Sequence, residues 1–146
     1  MKLIILFSFT IILFGCQSTD FWDDPRHYIE PGNYSGIFIF TENGNISQGN
    51  VRFTFTCNSY TCIPETLYLP PIGGGSYKII NEKIILKDLV PHTAEFDPSL
   101  ILNGEFLFIK NNETIILMQE NKERNHSRYI ELIMQADSIF YEKSEK

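Results

Sequence analysis

The feature that most constrains the fold is the strict alternation of apolar and polar residues in short segments. Between Val51 and Cys57 every second residue is apolar, and the residues between them are arginine or threonine. A period of two is typical of a β-strand with one buried face and one face in water. Similar runs, rich in strand-forming residues, recur along the chain. The predicted strands are Tyr34–Thr41, Asn50–Cys57, Thr66–Leu69, Ser76–Ile80, Lys83–Leu89, Leu100–Ile109, Thr114–Gln119 and Tyr129–Met134.

Short turns separate most of these runs. Asn43-Gly44 supplies the positive φ that a tight hairpin turn requires, and Asn81-Glu82 and Asn112-Glu113 also indicate turns. The connections leave no room for crossover helices, which favours an antiparallel meander over a parallel sheet. Eight strands can close into a small barrel and so remove the exposed sheet edges. We therefore predict an all-β domain over residues 34–135, an antiparallel eight-stranded meander barrel.

The amino terminus has a different character from the rest of the chain. Lys2 is followed by an almost uninterrupted apolar run to Phe14, without another charge. A short positive region followed by an apolar stretch is typical of a secretory signal peptide. The run is shorter than the ~20 residues that a membrane-spanning helix needs. We predict a signal peptide over residues 1–15.

This apolar run ends in Leu13-Phe14-Gly15-Cys16, which resembles the lipobox of bacterial lipoproteins. The resemblance implies that Cys16 is acylated, with palmitate among its acyl chains, and becomes the first residue of the mature protein. Such a protein is held at the membrane by its N-terminal lipid. Gln17 resembles the residue that directs lipoproteins to the outer membrane. A simple secretory signal or an uncleaved tether is the alternative.

The charge balance limits the classes of partner. The chain of 146 residues has 12 Lys and Arg against 18 Asp and Glu, a net charge of -6. Loss of the signal peptide would remove Lys2 and make the mature protein more acidic. An acidic chain is a poor ligand for nucleic acid and is repelled by anionic lipid head groups. We expect residues 16–33 to form a lipidated acidic linker and residues 136–146 a C-terminal tail.

Two cysteines remain after Cys16 is assigned to lipid. Cys57 and Cys62 are separated by four residues in a chain that we expect to be exported, and export permits disulfides. We predict that they form a disulfide that clamps a loop between two strands. A zinc site would need two further soft ligands, and the sequence contains no second pair at suitable spacing.

The middle of the chain carries a further resemblance. The segments Gly73–Ile79, Lys83–Asp88, Thr93–Asp97 and Leu100–Phe106 are similar to those of small lipocalin-like lipoproteins of Gram-negative bacteria and, more distantly, to the META-type barrel domain. The resemblance implies a barrel and a location in the bacterial cell envelope, and it brings no catalytic residues.

One group of side chains could carry chemistry. His92, Glu95 and Asp97 lie close together in the sequence and could hold a cation or share a proton. The alternative is a solvated loop with local turn hydrogen bonds, which is what we expect. Ser76 follows three glycines but lacks the flanking pattern of a nucleophile elbow. We expect no enzymatic activity, no metal and no cofactor.

Two functions are consistent with these patterns. If Phe106 and Phe108 face the core, Asn103 and Glu105 face outward, and we favour this arrangement because of the bulk of the two rings. A barrel filled by such rings would act as a structural or protein-interaction module of the envelope. The alternative is a lipocalin-like binder of a small hydrophobic ligand. The residues that would line its cavity are Phe38, Phe40, Phe53, Phe55, Phe106 and Phe108.

Overall fold

A computed structural model describes residues 28–66, 69–94 and 96–135. These residues form eight antiparallel strands that close into a barrel, with each strand paired to its neighbours in the sequence and β1 paired to β8. The prediction of an all-β, eight-stranded antiparallel meander barrel is confirmed. The strands are β1 (Gly32–Glu42), β2 (Asn45–Phe55), β3 (Ser59–Pro64), β4 (Gly73–Ile80), β5 (Lys83–Asp88), β6 (Gly104–Asn111), β7 (Thr114–Asn121) and β8 (His126–Met134).

Two of the predicted strands are misplaced. The third strand is Ser59–Pro64 rather than Thr66–Leu69. Its backbone pairs with β2, and its Tyr60 and Cys62 side chains face the core. The predicted strand Leu100–Ile109 begins only at Gly104, whose φ is 103°. The residues before it include a short 3-10 helix, Pro98–Leu100.

The hairpin turns follow the prediction. Asn43, Asn81 and Asn112 have φ values of 49°, 55° and 52°, as a tight turn between twisted strands requires. Asn125 does the same at the turn before β8, with a φ of 49°. Asparagine tolerates this left-handed conformation better than most residues. The asparagines therefore fix where four of the hairpins reverse.

Aromatic and aliphatic side chains from all eight strands fill the inside of the barrel. The rings of Phe53 and Phe55 stack with centroids 5.6 Å apart, and Tyr34 meets Phe55 edge-on at 5.4 Å. Such ring pairs stabilise a core by about 0.5–1.5 kcal/mol beyond the burial of their area. The six phenylalanines predicted to face inward are at most 6% exposed: Phe38, Phe40, Phe53, Phe55, Phe106 and Phe108.

The meander gives the barrel two different ends. We call the end with the turns 43–44 and 122–125 and the longer loops 65–72 and 89–103 the loop end. At the opposite end, the terminal end, the described chain enters before β1 and leaves after β8. The backbone amide of Gln135 donates to the carbonyl of Asn33 there, with a distance of 2.8 Å. Because the number of strands is even, both termini emerge at the same end.

Candidate functional site

The loop end is closed by the connection between β5 and β6, which we call loop 89–103. Leu102 is only 1% exposed, and its carbonyl accepts a hydrogen bond of 2.9 Å from the hydroxyl of Tyr60 on β3. Asp97 precedes the 3-10 helix and accepts from the backbone amide of Ser99 at 2.8 Å. Loop 89–103 is thus attached to the barrel wall and has its own internal hydrogen bonds.

A cleft lies between this loop and loop 65–72, and we call it the loop-end cleft. Its volume is about 610 Å³, within the range of small-molecule and peptide sites. Pro71, Ile72, Val90 and Phe96 provide apolar walls, and His92 is the titratable group contributed by loop 89–103 among the described lining residues. Ile72 is 62% exposed.

A carboxylate and an imidazole form a pair behind the cleft. The Nε2 atom of His92 lies 3.5 Å from Oδ2 of Asp88, and the Asp88 side chain is only 4% exposed. The backbone amide of Val90 donates to Oδ1 of Asp88 at 2.8 Å. The Asp88 Oδ2 and His92 Nε2 atoms are buried and have no hydrogen-bond partner within ordinary geometry. The pair therefore places an incompletely satisfied carboxylate next to the apolar cleft.

The Asp88 carboxylate also affects the pKa of two neighbours inside the barrel, Cys62 and Tyr60. Burial raises the pKa of the Cys62 thiol, and the negative charge of Asp88 raises it further. The pKa of Tyr60 is raised by burial and then by Asp88 in the same way. Cys62 is consequently held as a neutral thiol, which is a poor nucleophile.

The predicted disulfide between Cys57 and Cys62 is wrong, because Cys62 is a free, buried thiol. Cys62 on β3 pairs with Phe53 on β2, and Phe53 lies four residues before Cys57 in the chain. Cys57 lies beyond the end of β2, in the connection to β3. The register of β3 points the Cys62 side chain into the core, where it is 0% exposed.

The sequence group of His92, Glu95 and Asp97 is divided by the fold. His92 pairs with Asp88, while Asp97 caps the 3-10 helix. Contact with Ser99 is the largest cause of the lowered pKa of Asp97, and the charges of His126 and Arg128 contribute to it. Glu95 lies outside the described residues. In the part of the chain that the structure describes, no group of three His, Cys, Asp or Glu side chains is arranged to hold a metal ion.

The phenylalanines of β6 and the polar residues Asn103 and Glu105 follow the favoured arrangement. Phe106 and Phe108 face the core, while Asn103 and Glu105 are exposed. Glu105 forms an ion pair with Lys83 on the outside of the barrel. The six phenylalanines line neither the loop-end cleft nor the clefts beside the turns 122–125 and 81–82.

Sequence reasoning missed Asp88 and two buried residues of β8, His126 and Arg128. These two share a face with Ile130 and Leu132, and the four are at most 7% exposed. The apolar alternation of β8 ends at Ile130, because the next two inward positions are the polar residues Arg128 and His126. We therefore predicted that the strand begins at Tyr129.

Several predictions lie outside the described residues: the signal peptide 1–15, the lipidated Cys16, most of the linker 16–33 and the tail 136–146. Among the described residues, no helix has the length and apolar character needed to cross a membrane. Comparison of the chain with protein-family models, with curated proteins and with solved structures gives no match.

Proposed function

We propose that this chain is a bacterial envelope lipoprotein, anchored through lipid on Cys16, whose barrel is a non-catalytic protein-interaction or structural module. The amino-terminal apolar run and the Leu-Phe-Gly-Cys segment support the anchor. The resemblance of Gly73–Ile79 and its neighbouring segments to lipocalin-like envelope lipoproteins supports the location. Gln17 favours the outer membrane as the site of attachment.

The packed interior is the observation that carries the proposed role of the barrel. Phe38 and Phe106 are 0% exposed, and stacked or edge-on ring contacts link β1 to β4 across the core. An eight-stranded barrel either fills with side chains or holds one small ligand. The ring packing favours the filled barrel, so the outer surface is left as the functional surface.

The topology also supports a proposal about which end of the barrel faces a partner. The described chain begins at the terminal end, and the lipid anchor would lie on the amino-terminal side of it. The part of the predicted acidic linker that precedes Tyr28 has 12 residues; it can extend for about 40 Å, and its charge would keep the domain away from anionic head groups. The loop end, with the loop-end cleft and the exposed Ile72, would then point away from the membrane.

We propose that a segment of an envelope protein binds in the loop-end cleft. Ile72 and Leu89 are 62% and 63% exposed, and Ile63 is 46% exposed at the end of β3. The strand register Cys62 to Gly73 places Ile63 and Ile72 side by side at this end. Clustered exposed aliphatic residues next to a cleft are typical of interaction sites.

Site-specific photo-crosslinking in cells tests this proposal. A photoreactive amino acid at Ile72 should give a discrete crosslinked product, because this position lies in the cleft. The matched control is Ile133, which is 48% exposed but lies at the terminal end. A product from Ile133 and none from Ile72 would place the interaction at the wrong end and contradict the proposal.

The second candidate function is the binding of a small hydrophobic ligand among the six phenylalanines. Native mass spectrometry of the purified protein distinguishes the two functions. The filled barrel predicts the mass of the protein with its lipid alone. A stoichiometric additional mass that disappears in a Phe38→Trp variant would favour the ligand binder.

A further inference from the structure

The inward face of β8 carries two polar residues where a barrel core normally has aliphatic ones. His126 and Arg128 are 6% and 7% exposed, while Ile130 and Leu132 continue the same face at 0%. A guanidinium keeps its charge at every physiological pH. Charged side chains are seldom buried without a partner of opposite charge. The buried charge of Arg128 therefore needs a group that neutralises it.

The described residues supply only neutral acceptors. Nη1 of Arg128 donates to Oε1 of Gln119 at 2.7 Å and, more weakly, to the carbonyl of Asn103 at 3.5 Å. Nε is buried with no hydrogen-bond partner. Nη2 makes no hydrogen bond to any residue that the structure describes, and no described carboxylate lies within ion-pair distance of the guanidinium. One whole edge of the guanidinium, Nε with Nη2, is thus unused.

The imidazole of His126, next to Arg128, also has a buried polar atom without a partner. Nδ1 of His126 is buried without a hydrogen-bond partner. His126 is two residues from Arg128 on the same strand face, so the two side chains are neighbours. Burial and then the positive charge of Arg128 lower the pKa of His126. Each buried polar group left without a partner lowers the stability of the folded protein by about 1–3 kcal/mol, and a charged group lowers it by more.

Asp97 is the carboxylate that acts on both groups, but it does not complete the site. Its charge raises the pKa of both Arg128 and His126. Its Oδ1 atom is already engaged by the backbone amide of Ser99, and it forms no ion pair with Arg128. Asp97 therefore reduces the positive potential of the site without occupying the free edge.

We propose that the Nε–Nη2 edge of Arg128, with Nδ1 of His126 beside it, binds one oxyanion, the carboxylate or phosphate group of a small molecule. This edge presents two parallel N–H donors, which is the geometry that a carboxylate or phosphate accepts in bidentate fashion. His126 also lines a cleft of about 200 Å³ between the turns 43–44 and 122–125, so one of the two groups borders a cleft that is open to solvent. The inference is independent of the lipid anchor and of the loop-end cleft.

The test uses the full chain in a non-ionic detergent, titrated with acetate or inorganic phosphate against chloride at constant ionic strength. The Nε–H signal of Arg128, assigned by its loss in Arg128→Lys, should shift and saturate with acetate or phosphate and not with chloride. Acetate binding would identify a carboxylate site, and phosphate binding would identify a phosphate site. A shift that is linear in concentration, or equal with chloride, would overturn the proposal.

Three variants, followed by the unfolding temperature in each anion, separate this site from surface binding. Arg128→Lys keeps the charge but loses the planar fork, and it should weaken binding about tenfold. Arg52→Lys is the matched control on the outside of β2, where Arg52 pairs with Glu65, and it should leave binding unchanged. Asp97→Asn removes the competing charge and keeps a good helix cap, so it should tighten binding about threefold.

Equal weakening in Arg128→Lys and Arg52→Lys would show non-specific attraction and reject the site. If Arg128→Lys does not fold, Asp97→Asn decides the matter, since this variant changes neither Arg128 nor His126. Unchanged or weaker anion binding in Asp97→Asn would then reject the proposal.

Discussion

The hydroxyl of Tyr60 donates a hydrogen bond of 2.9 Å to the carbonyl of Leu102 inside the barrel. Tyr60 lies on β3, and Leu102 belongs to loop 89–103, which closes the loop end. Both residues are at most 2% exposed. This bond satisfies a buried backbone carbonyl that no strand pairing reaches, and it couples the loop to the wall.

Removal of this hydroxyl tests the coupling. Tyr60→Phe leaves the carbonyl of Leu102 buried without a donor, so we expect a loss of about 1–3 kcal/mol in the free energy of unfolding. Tyr129→Phe is the matched control, because the Tyr129 hydroxyl bonds to Glu131 on the outside of β8. Urea unfolding measures both variants. An equal loss of unfolding free energy in the two variants would show that the buried Tyr60 hydrogen bond contributes no more than the one made by Tyr129.

Gly36 marks a place where two strands come too close for a side chain. A Cβ atom there would collide with the backbone carbonyl of Glu131 on β8. Because backbone cannot move aside, Gly36→Ala should destabilise the closure of β1 on β8 by roughly 3 kcal/mol or more. Gly44→Ala is the comparison, since its Cβ meets nothing within 4 Å and only its φ of 82° is unfavourable. We expect it to cost about 1 kcal/mol by urea unfolding. A smaller loss for Gly36→Ala than for Gly44→Ala would contradict the close approach.

Buried tyrosines predict a loss of stability at high pH. Burial raises the pKa of Tyr34 and of Tyr77 from 10.0 to about 12. The unfolded chain releases these protons near pH 10 and the folded chain near pH 12, so stability is full below pH 10 and falls as the pH rises between these values. Ultraviolet absorbance of phenolate, followed with the circular dichroism, measures both events. In the double variant Tyr34→Phe, Tyr77→Phe the pH-dependent loss should be smaller, and an unchanged profile would assign it to other groups.

His126 predicts a second pH dependence on the acidic side. Burial and Arg128 lower the pKa of His126, with Arg124 acting in the same direction and Glu42 and Asp97 opposing it. The unfolded chain therefore binds a proton first, near pH 6.5, and stability falls as the pH decreases from there towards the lower folded value. The slope of unfolding free energy against pH in this window should decrease in His126→Gln. An equal slope in His92→Gln and His126→Gln would not fit this assignment.

Much of the barrel could be predicted from local pattern. The alternation around Phe53 and Phe55 gave the inward face of β2, and Asn43 gave the first turn. Both features depend on neighbouring residues only. The position of β3 could not be predicted in this way, because its run, Ser59–Pro64, is only six residues long and becomes a strand through its pairing with β2.

The polar groups of the site were harder to predict, and the reason is physical. Asp88 ends β5 and meets His92 only because loop 89–103 folds back over the barrel. Arg128 sits on a core face, where local pattern argues for an apolar residue. The Cys57–Cys62 spacing suggested a bridge, but the register of β3 decides where a side chain points. Contacts that depend on tertiary placement carry little signal in the sequence.

Metabolic labelling with palmitate tests the proposed lipid anchor on Cys16. The wild-type protein should incorporate label and partition with membranes, and Cys16→Ser should lose both. Cys57→Ser is the matched control and should keep the label, because only Cys16 follows the Leu-Phe-Gly segment. Label or membrane partition that persists in Cys16→Ser would show that Cys16 is not the lipid anchor.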